Sequence, residues 1–290
     1  MQTPAPVDYA RATSVEHALQ LLEQLGPESR LIAGGHSLLP MMRLRLAQPE
    51  TVIDINGLTD LDYIRVEEDE LRIGAMTRHA AVLASPVVGE HYAILHDAER
   101  RIADPPVRNR GTVGGSFCQA DPAEDLSAVG SALKAVLVLR SSQGTRTMPA
   151  REFHAGPYET ALGDAEMLTE VRIPIRPGAG SAYEKVKRKA GDWAIAGAGA
   201  FLLLRDGDVA DVGIGLTAVS APHFCAEEAE AYLVGKPPTE EHIAEAARLA
   251  AEACNPRGDQ RGPAEYKRHL AGELTKRVLL RSVERAQGRA

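Results

Sequence analysis

Two glycine-rich segments contain the residues of this chain whose types and spacing are best suited to ligand chemistry. The first runs from Ala33 to Leu38 with the sequence AGGHSL, and the second runs from Arg110 to Ser116 with the sequence RGTVGGS. Adjacent glycines permit backbone conformations and close approaches that side chains forbid, and consecutive N–H groups can then converge on an anion. Hydroxyl groups in both segments can add donors. We therefore predict a dinucleotide whose diphosphate lies between the two segments.

A second interpretation remains open, in which each segment is a tight turn that needs glycine for its geometry alone. Neither segment has the spacing of a P-loop or of a Rossmann fingerprint. Two Gly-x-Gly matches, at 197–199 and 213–215, lie inside predicted strands, where they indicate close packing of a strand against its neighbours. The sequence therefore does not support a nicotinamide-binding Rossmann domain.

Composition excludes several other classes of function. The net charge of −7 argues against a nucleic-acid-binding surface. The three cysteines, Cys118, Cys225 and Cys254, form no Cys-x-x-Cys motif, which argues against an internal iron–sulfur cluster and a disulfide framework. The nine histidines show no zinc-binding spacing, so we predict no metal site and expect an organic cofactor for any redox chemistry. Cys118 is interpreted as an inert residue of a buried strand.

The elements that must position the two segments can be read from hydrophobic periodicity. A helix is predicted from residue 15 to residue 25, with Thr13 and Glu16 at capping-box spacing. A hairpin with Asp206-Gly207 at its turn is predicted near the C-terminal third. The predicted strands span 30–33, 51–55, 70–73, 135–140, 167–173, 194–204 and 208–219, and the last two form this hairpin. The remaining predicted helices span 80–84, 91–102, 125–133, 226–233, 240–254 and 263–287.

These elements divide the chain into three predicted units, because Pro174 and the segment 177–180 form the best linker candidate. The units span 1–57, 58–177 and 178–290. The first two would hold the ligand, and the third would be an α+β domain with a small antiparallel sheet and helices. No apolar run has the length of about 20 residues that a membrane span needs, and no signal peptide is present, so we expect a cytoplasmic protein without membrane insertion.

The order of several motifs resembles that of the FAD-binding medium subunits of the molybdenum hydroxylases. The similarity is greatest to the medium subunits of aerobic carbon monoxide dehydrogenases, and it covers nearly the whole chain. It implies a fold of the p-cresol methylhydroxylase type, with two α/β subdomains around the flavin and a C-terminal α+β domain. The motifs that carry the resemblance are AGGHSLLPMM (33–42), VIDI (52–55), IGA (73–75), IADP (102–105), VRNRGTVGG (107–115), ADPAED (120–125), YEK (183–185) and KAGDWA (189–194).

The resemblance also assigns roles to individual residues around FAD. It implies that the segments around Gly34 and Gly114 wrap the diphosphate, and that Asp125 bonds to cofactor hydroxyls. It places Leu168, Lys185 and Trp193 near the flavin. Purely structural roles remain open for three of these residues. Asp125 could be a helix N-terminal acid, Leu168 a core residue and Trp193 a residue of a domain interface. The full predicted set, which contains no catalytic residue, is Ala33, Gly34, Gly35, His36, Ser37, Leu38, Thr112, Val113, Gly114, Gly115, Ser116, Asp125, Leu168, Lys185 and Trp193.

The implied function is an electron relay inside a larger complex. A large subunit with the molybdenum cofactor oxidises the substrate, a small iron–sulfur subunit transfers the electrons, and FAD in this chain delivers them to a quinone or a membrane cytochrome. The implied assembly is a dimer of heterotrimers, in which a partner would provide any contact with a membrane. One segment departs from the family. This chain has GGSFCQ at 114–119, where the carbon monoxide dehydrogenases have a sequence similar to Gly-Gly-Asp-Ile-Ala-His. The alternatives are a xanthine, aldehyde, nicotinate or aromatic-thioester dehydrogenase subunit, a self-contained FAD reductase, and a non-catalytic nucleotide-binding module.

Overall fold

The computed structural model describes residues 3–289 and contains a mixed α+β fold, as predicted. The N-terminal unit is a three-stranded parallel sheet, in the order β1-β3-β2, with a helix packed on it. Its elements are β1 (Asp8–Arg11), α1 (Val15–Leu25), β2 (Ser29–Ile32), α2 (Leu38–Arg43) and β3 (Thr51–Asp54). The first glycine segment is the connection between β2 and α2.

Helix α1 illustrates how sequence determines the local structure of this unit. Val15, Ala18 and Leu22 recur at helical spacing and are buried against the sheet. Ser14, and not the predicted Thr13, caps the helix, because the Ser14 side chain accepts a hydrogen bond from the His17 backbone N–H. The predicted capping box is therefore wrong by one residue, while the helix itself is confirmed.

The central unit is built on a five-stranded antiparallel sheet, in the order β4-β5-β10-β6-β7. Helices cover one face of this sheet and enclose the largest apolar cluster of the chain. The elements are β4 (Ile64–Glu67), β5 (Glu70–Gly74), α3 (His79–Ala84), α4 (Pro86–His91), α5 (Ala93–Glu99), α6 (Pro105–Arg108), α7 (Val113–Gln119), α8 (Asp125–Ala132), β6 (Val136–Ser141), β7 (Gly144–Pro149), α9 (Ala150–Phe153), β8 (His154–Gly156), β9 (Glu159–Thr160) and β10 (Met167–Pro174).

The C-terminal unit packs three helices on a three-stranded antiparallel sheet, in the order β11-β12-β13. The predicted hairpin is confirmed, with Asp206 and Gly207 both at positive φ in the turn. The elements are β11 (Gly180–Val186), β12 (Ala196–Arg205), β13 (Asp208–Thr217), α10 (Glu227–Leu233), α11 (Glu240–Glu252) and α12 (Ala264–Ala286). None of the helices within residues 3–289 is long and apolar enough to cross a membrane.

Contacts across the unit boundaries bring the ligand-binding candidates together. Helix α8 of the central unit lies directly on β13, because a Cβ atom on Gly213 or Gly215 would meet a carbonyl oxygen of α8 at 1.9 Å. The interpretation of this Gly-x-Gly match as a site of close packing is thus confirmed. Tyr183 and Phe201 of the C-terminal sheet belong to the apolar cluster of the central unit. The central and C-terminal units therefore share an apolar cluster at their interface.

Candidate cofactor-binding site

The two glycine segments touch each other in the folded chain. A Cβ atom on Gly34 would lie 2.2 Å from the carbonyl oxygen of Arg110, so only a glycine fits against the second segment here. The helices that follow the segments also meet, since Gln119 Nε2 in α7 donates a hydrogen bond to Met41 Sδ in α2, at 3.2 Å. One contact joins the starts of the two segments, and the other joins the helices that follow them. The residues in between are therefore held side by side at one site.

The first segment presents a row of free backbone donors. The N–H groups of residues 34–37 have no acceptor within the described part of the chain. Gly35 has a φ of +75°, which turns the chain so that successive N–H groups point to the same side. Ser37 precedes α2 without capping it through its side chain, so its hydroxyl is also available. His36 Nδ1 lies 3.0 Å from the carbonyl oxygen of Gly34, within its own turn.

The second segment is organised differently, because it forms the first turn of α7. Thr112 caps this helix by accepting a hydrogen bond from the Gly115 N–H at 3.1 Å. The N–H groups of Val113, Gly114 and Ser116 donate to carbonyl oxygens of the protein. The segment thus offers a ligand few free backbone N–H groups. Its polar contribution is the half-buried hydroxyl of Ser116.

Two residues that the sequence analysis did not single out, Asn56 and Arg78, join the segments. Asn56 Nδ2 donates to the carbonyl oxygen of Ala33 at 2.6 Å, and Arg78 Nη2 donates to Asn56 Oδ1 at 2.9 Å. Arg78 Nη1 donates to the carbonyl oxygen of Arg110. No motif marks these residues, although Asn56 and Arg78 each follow a predicted strand, where ligand-binding loops are common.

The two arginines of this group create local positive charge. Burial lowers the pKa of Arg78, and the neighbouring charge of Arg110 lowers it further. Neither guanidinium forms a salt bridge with a carboxylate anywhere in residues 3–289. The charges of Asp62 and Asp54 raise the pKa of Arg78 from a longer distance. Without a direct salt bridge, the two adjacent guanidinium groups can still attract an anion.

Asp125 and Lys185 lie in a buried network where the central and C-terminal units meet. Lys185 Nζ donates to Asp125 Oδ2 at 2.6 Å, and the Tyr183 hydroxyl donates to Asp125 Oδ1. Both oxygens of Asp125 therefore already have a protein partner, while retaining lone pairs for a second donor. Burial raises the pKa of the Tyr183 hydroxyl well above its usual value, as does the charge of Asp125. Burial also raises the pKa of the adjacent Glu124 to about 7.

The other predicted residues differ in their surroundings. Leu168 is buried in the same apolar cluster as Val113, as expected for a core strand leucine. Trp193 is 41% exposed, on the loop that passes close to Asp104 at the start of α6. Cys118 is exposed and lies in α7, so its predicted place in a buried strand is wrong.

This donor set fits the diphosphate of a dinucleotide. Four unpaired N–H groups, two guanidinium groups and the hydroxyls of Ser37 and Ser116 match the oxygens of a doubly charged diphosphate. The site and the mixed α+β fold define a dinucleotide-binding protein without a Rossmann domain.

Comparison with known families identifies the family of dinucleotide-binding proteins to which this chain belongs. A family model described as the FAD binding domain in molybdopterin dehydrogenase matches residues 5–176, and one described as the CO dehydrogenase flavoprotein C-terminal domain matches residues 181–282. The chain belongs to this family of flavoproteins, the FAD-binding subunits of molybdenum-containing dehydrogenases. The resemblance read from the motifs is thereby confirmed.

Individual relatives cover the chain from end to end. The carbon monoxide dehydrogenase medium chain of Hydrogenophaga pseudoflava is 43% identical over 95% of this chain and 96% of its own length. The glyceraldehyde dehydrogenase medium chain of Sulfolobus acidocaldarius is 35% identical over 94% of this chain and 96% of its own. A solved carbon monoxide dehydrogenase structure from Hydrogenophaga pseudoflava, lacking the Mo-pyranopterin moiety of its cofactor, superposes with a TM-score of 0.95. It is 45% identical and covers 98% of this chain and 99% of that chain.

Proposed function

We propose that this chain is the FAD-binding medium subunit of a molybdenum-containing carbon monoxide dehydrogenase. The observation that carries the proposal is the contact between the two glycine segments, which sets free N–H groups, two arginines and two serines around one site. The choice of carbon monoxide rests on the higher identity to a carbon monoxide dehydrogenase medium chain, 43%, than to a glyceraldehyde dehydrogenase medium chain, 35%.

The protein residues would bind and orient the cofactor rather than react themselves. Residues 33–38 would direct their N–H groups and the Ser37 hydroxyl to the diphosphate, while residues 112–116 would close the other side. Asp125, held by Lys185, would accept hydrogen bonds from cofactor hydroxyls, and Leu168 and Trp193 would border the flavin. When bound, FAD supplies the exchange between two-electron and one-electron transfer. The surrounding charges would tune the reduction potential of the flavin.

The proposal extends to the organisation of the chain and its partners. We infer two FAD-binding subdomains, 1–57 and 58–177, and a C-terminal flavoprotein domain, 178–290. The partners would be a small subunit with iron–sulfur clusters and a large subunit with the molybdenum cofactor, assembled as a dimer of heterotrimers. Electrons would leave to an external quinone or membrane cytochrome. The complex would be cytoplasmic, and a partner would provide any contact with a membrane.

A medium subunit of an aldehyde dehydrogenase is the second candidate, and the full-length similarity to a glyceraldehyde dehydrogenase medium chain favours it. The two candidates make the same use of this chain, because the substrate would be oxidised on the large subunit in both. They differ only in which substrate reduces the complex.

An absorption spectrum of the native complex, isolated through a tag on this chain, tests the proposal. Flavin and iron–sulfur bands that bleach under carbon monoxide would support the first candidate. Bands that bleach with glyceraldehyde and not with carbon monoxide would support the second. A complex without a flavin band, even after incubation with FAD, would refute both.

A further inference from the structure

A buried histidine connects the second glycine segment to a buried carboxylate. His79, the first residue of α3, has its Nε2 atom 3.0 Å from Ser116 Oγ and its Nδ1 atom 3.0 Å from Glu99 Oε1. His79 is 3% exposed and Glu99 at the end of α5 is fully buried. Glu99 Oε2 has no hydrogen-bond partner within residues 3–289. None of the functions assigned above uses either residue.

The protonation state of His79 determines what the Ser116 hydroxyl can do. A charged imidazole donates from both nitrogens, so it donates to Ser116 Oγ and leaves the Ser116 proton free for another acceptor. A neutral imidazole whose Nδ1 donates to Glu99 has a lone pair on Nε2, and the Ser116 proton then points to His79. In that state, Ser116 would present only lone pairs to its other neighbours.

The surroundings of His79 favour the charged state. Burial opposes the charge, but the charge and the hydrogen bond of Glu99 act against it, and the pKa of His79 is raised. Glu124 and Asp125, at the start of α8, add to the effect from a second element. Serine, histidine and carboxylate in this order resemble a hydrolase triad, in which the histidine must be neutral to act as a base. A histidine held in its charged form is suited instead to donating a hydrogen bond.

We propose that Glu99 and His79 are positioning residues that make Ser116 a hydrogen-bond donor to the diphosphate of FAD. The inference rests on the FAD-binding function proposed above and adds a specific polar contact from the second segment. This contact matters because the N–H groups of residues 113–116 already have protein acceptors, so the hydroxyl is the main free donor on that side.

Affinity for FAD should then depend on pH with a defined sign. Binding is tight while His79 carries its proton and weakens as the pH rises through the pKa of His79 in the folded chain. Replacing Glu99 by glutamine removes the charge that raises this pKa, so the midpoint of the decline should move to lower pH by about one unit or more. The substitution preserves the shape of the buried side chain.

Titration of the full chain with FAD, followed by flavin fluorescence between about pH 5.5 and 9, tests this inference. We expect Ser116→Ala to bind FAD about tenfold to a hundredfold more weakly at low pH, with the decline abolished. His79→Gln, which keeps an amide donor that does not titrate, should also lose the decline while retaining more affinity than Ser116→Ala. Adding Glu99→Gln to Ser116→Ala should cause no further loss, because Glu99 acts through Ser116.

The outcomes separate this inference from the function on which it rests. If the wild-type chain binds no FAD at any pH, the proposed function fails. If the wild type binds FAD and Glu99→Gln leaves the pH profile unchanged, the positioning role fails while the function stands. If Glu99→Gln reduced the affinity for FAD equally in the wild type and in Ser116→Ala, the positioning role would also fail. Thermal unfolding of the FAD-free variants identifies any loss that comes from misfolding.

Discussion

Gly34 and the carbonyl group of Arg110 are packed so closely that the two glycine segments form a single structure. The missing side chain of Gly34 leaves the space that the Arg110 carbonyl occupies, and a Cβ atom there would also lie 2.8 Å from Gly111 Cα. The glycine is therefore required by the contact between the segments, before any ligand binds. The contact accounts for glycine at position 34 by geometry alone, and the part that Gly34 plays in ligand binding stays a prediction.

Replacing Gly34 by alanine should separate the two segments and abolish retention of FAD. The new methyl group would meet backbone atoms, which cannot rotate away, and overpacking of this kind costs about 1–3 kcal/mol of stability. Flavin absorbance of the purified chain and its thermal unfolding measure the two effects. Gly258→Ala is the matched control, because a Cβ atom there would have only ordinary contacts, at 3.7 Å or more. Normal flavin content in Gly34→Ala would contradict the assignment of the site.

Replacing Arg78 by glutamine should weaken the binding of FAD by about tenfold or more, because a hydrogen bond to a charged group contributes about 1.5–3 kcal/mol. The loss should shrink as the salt concentration rises, since salt screens the attraction between Arg78 and the diphosphate. Titrations with FAD at low and high ionic strength provide the measurement. Arg205→Gln, which removes the same charge from an exposed position at the end of β12, should bind FAD like the wild type. Equal effects of the two substitutions would mean that only the overall charge matters.

The long elements of the fold were predictable because each repeats a hydrophobic pattern several times. The hairpin β12–β13 and the helices α11 and α12 have such patterns, and the turn at Asp206-Gly207 adds a local signal. Short elements lack this redundancy. Strand β1 has four residues with mostly exposed side chains, and its place in the sheet depends on pairing with β3, far along the chain. Sequence periodicity contains no information about that pairing.

The glycine segments were predictable because a requirement for glycine is visible in the local sequence. The residues that contact these segments come from elsewhere in the chain, and the local sequence does not reveal them. Helix α7 begins inside the second segment, and its first-turn N–H groups bond to Thr112, Thr77 and Ala75. The bonds to Thr77 and Ala75 arise from tertiary packing, whereas the bond to Thr112 is a local helix cap. The sequence therefore suggested free donors in both segments, while the structure provides them mainly in the first. Arg78 and His79 reach the site for the same reason. Each lies far along the chain from the residues it contacts.

Replacing Lys185 by methionine should destabilise the fold by about 3–5 kcal/mol, because it leaves the charge of Asp125 buried without its partner. Adding Asp125→Asn should recover much of that loss, since no unpaired charge then remains. Denaturant unfolding of the FAD-free chain measures both variants. Arg248→Met, which breaks an exposed pair with Glu245 on α11, should have little effect on stability. A double variant no more stable than Lys185→Met would show that the ion pair is not the source of the loss.

Glu124 should make the fold less stable as the pH rises from about 4.5 to about 7. Burial raises the pKa of this carboxyl group from 4.5 to about 7, and the neighbouring charge of Asp125 contributes in the same direction. The folded chain then holds a proton that the unfolded chain has already released, so folding becomes less favourable across this interval, by about 3 kcal/mol in total. Glu124→Gln removes the titration and keeps an acceptor for the Leu126 N–H. The variant should therefore be more stable than the wild type above pH 7 and lose its advantage near pH 4.5, as measured by urea unfolding across the range. Parallel stability profiles for the two proteins would place the Glu124 carboxylate in contact with water or with a cation, because only such contacts would keep its pKa at the ordinary value.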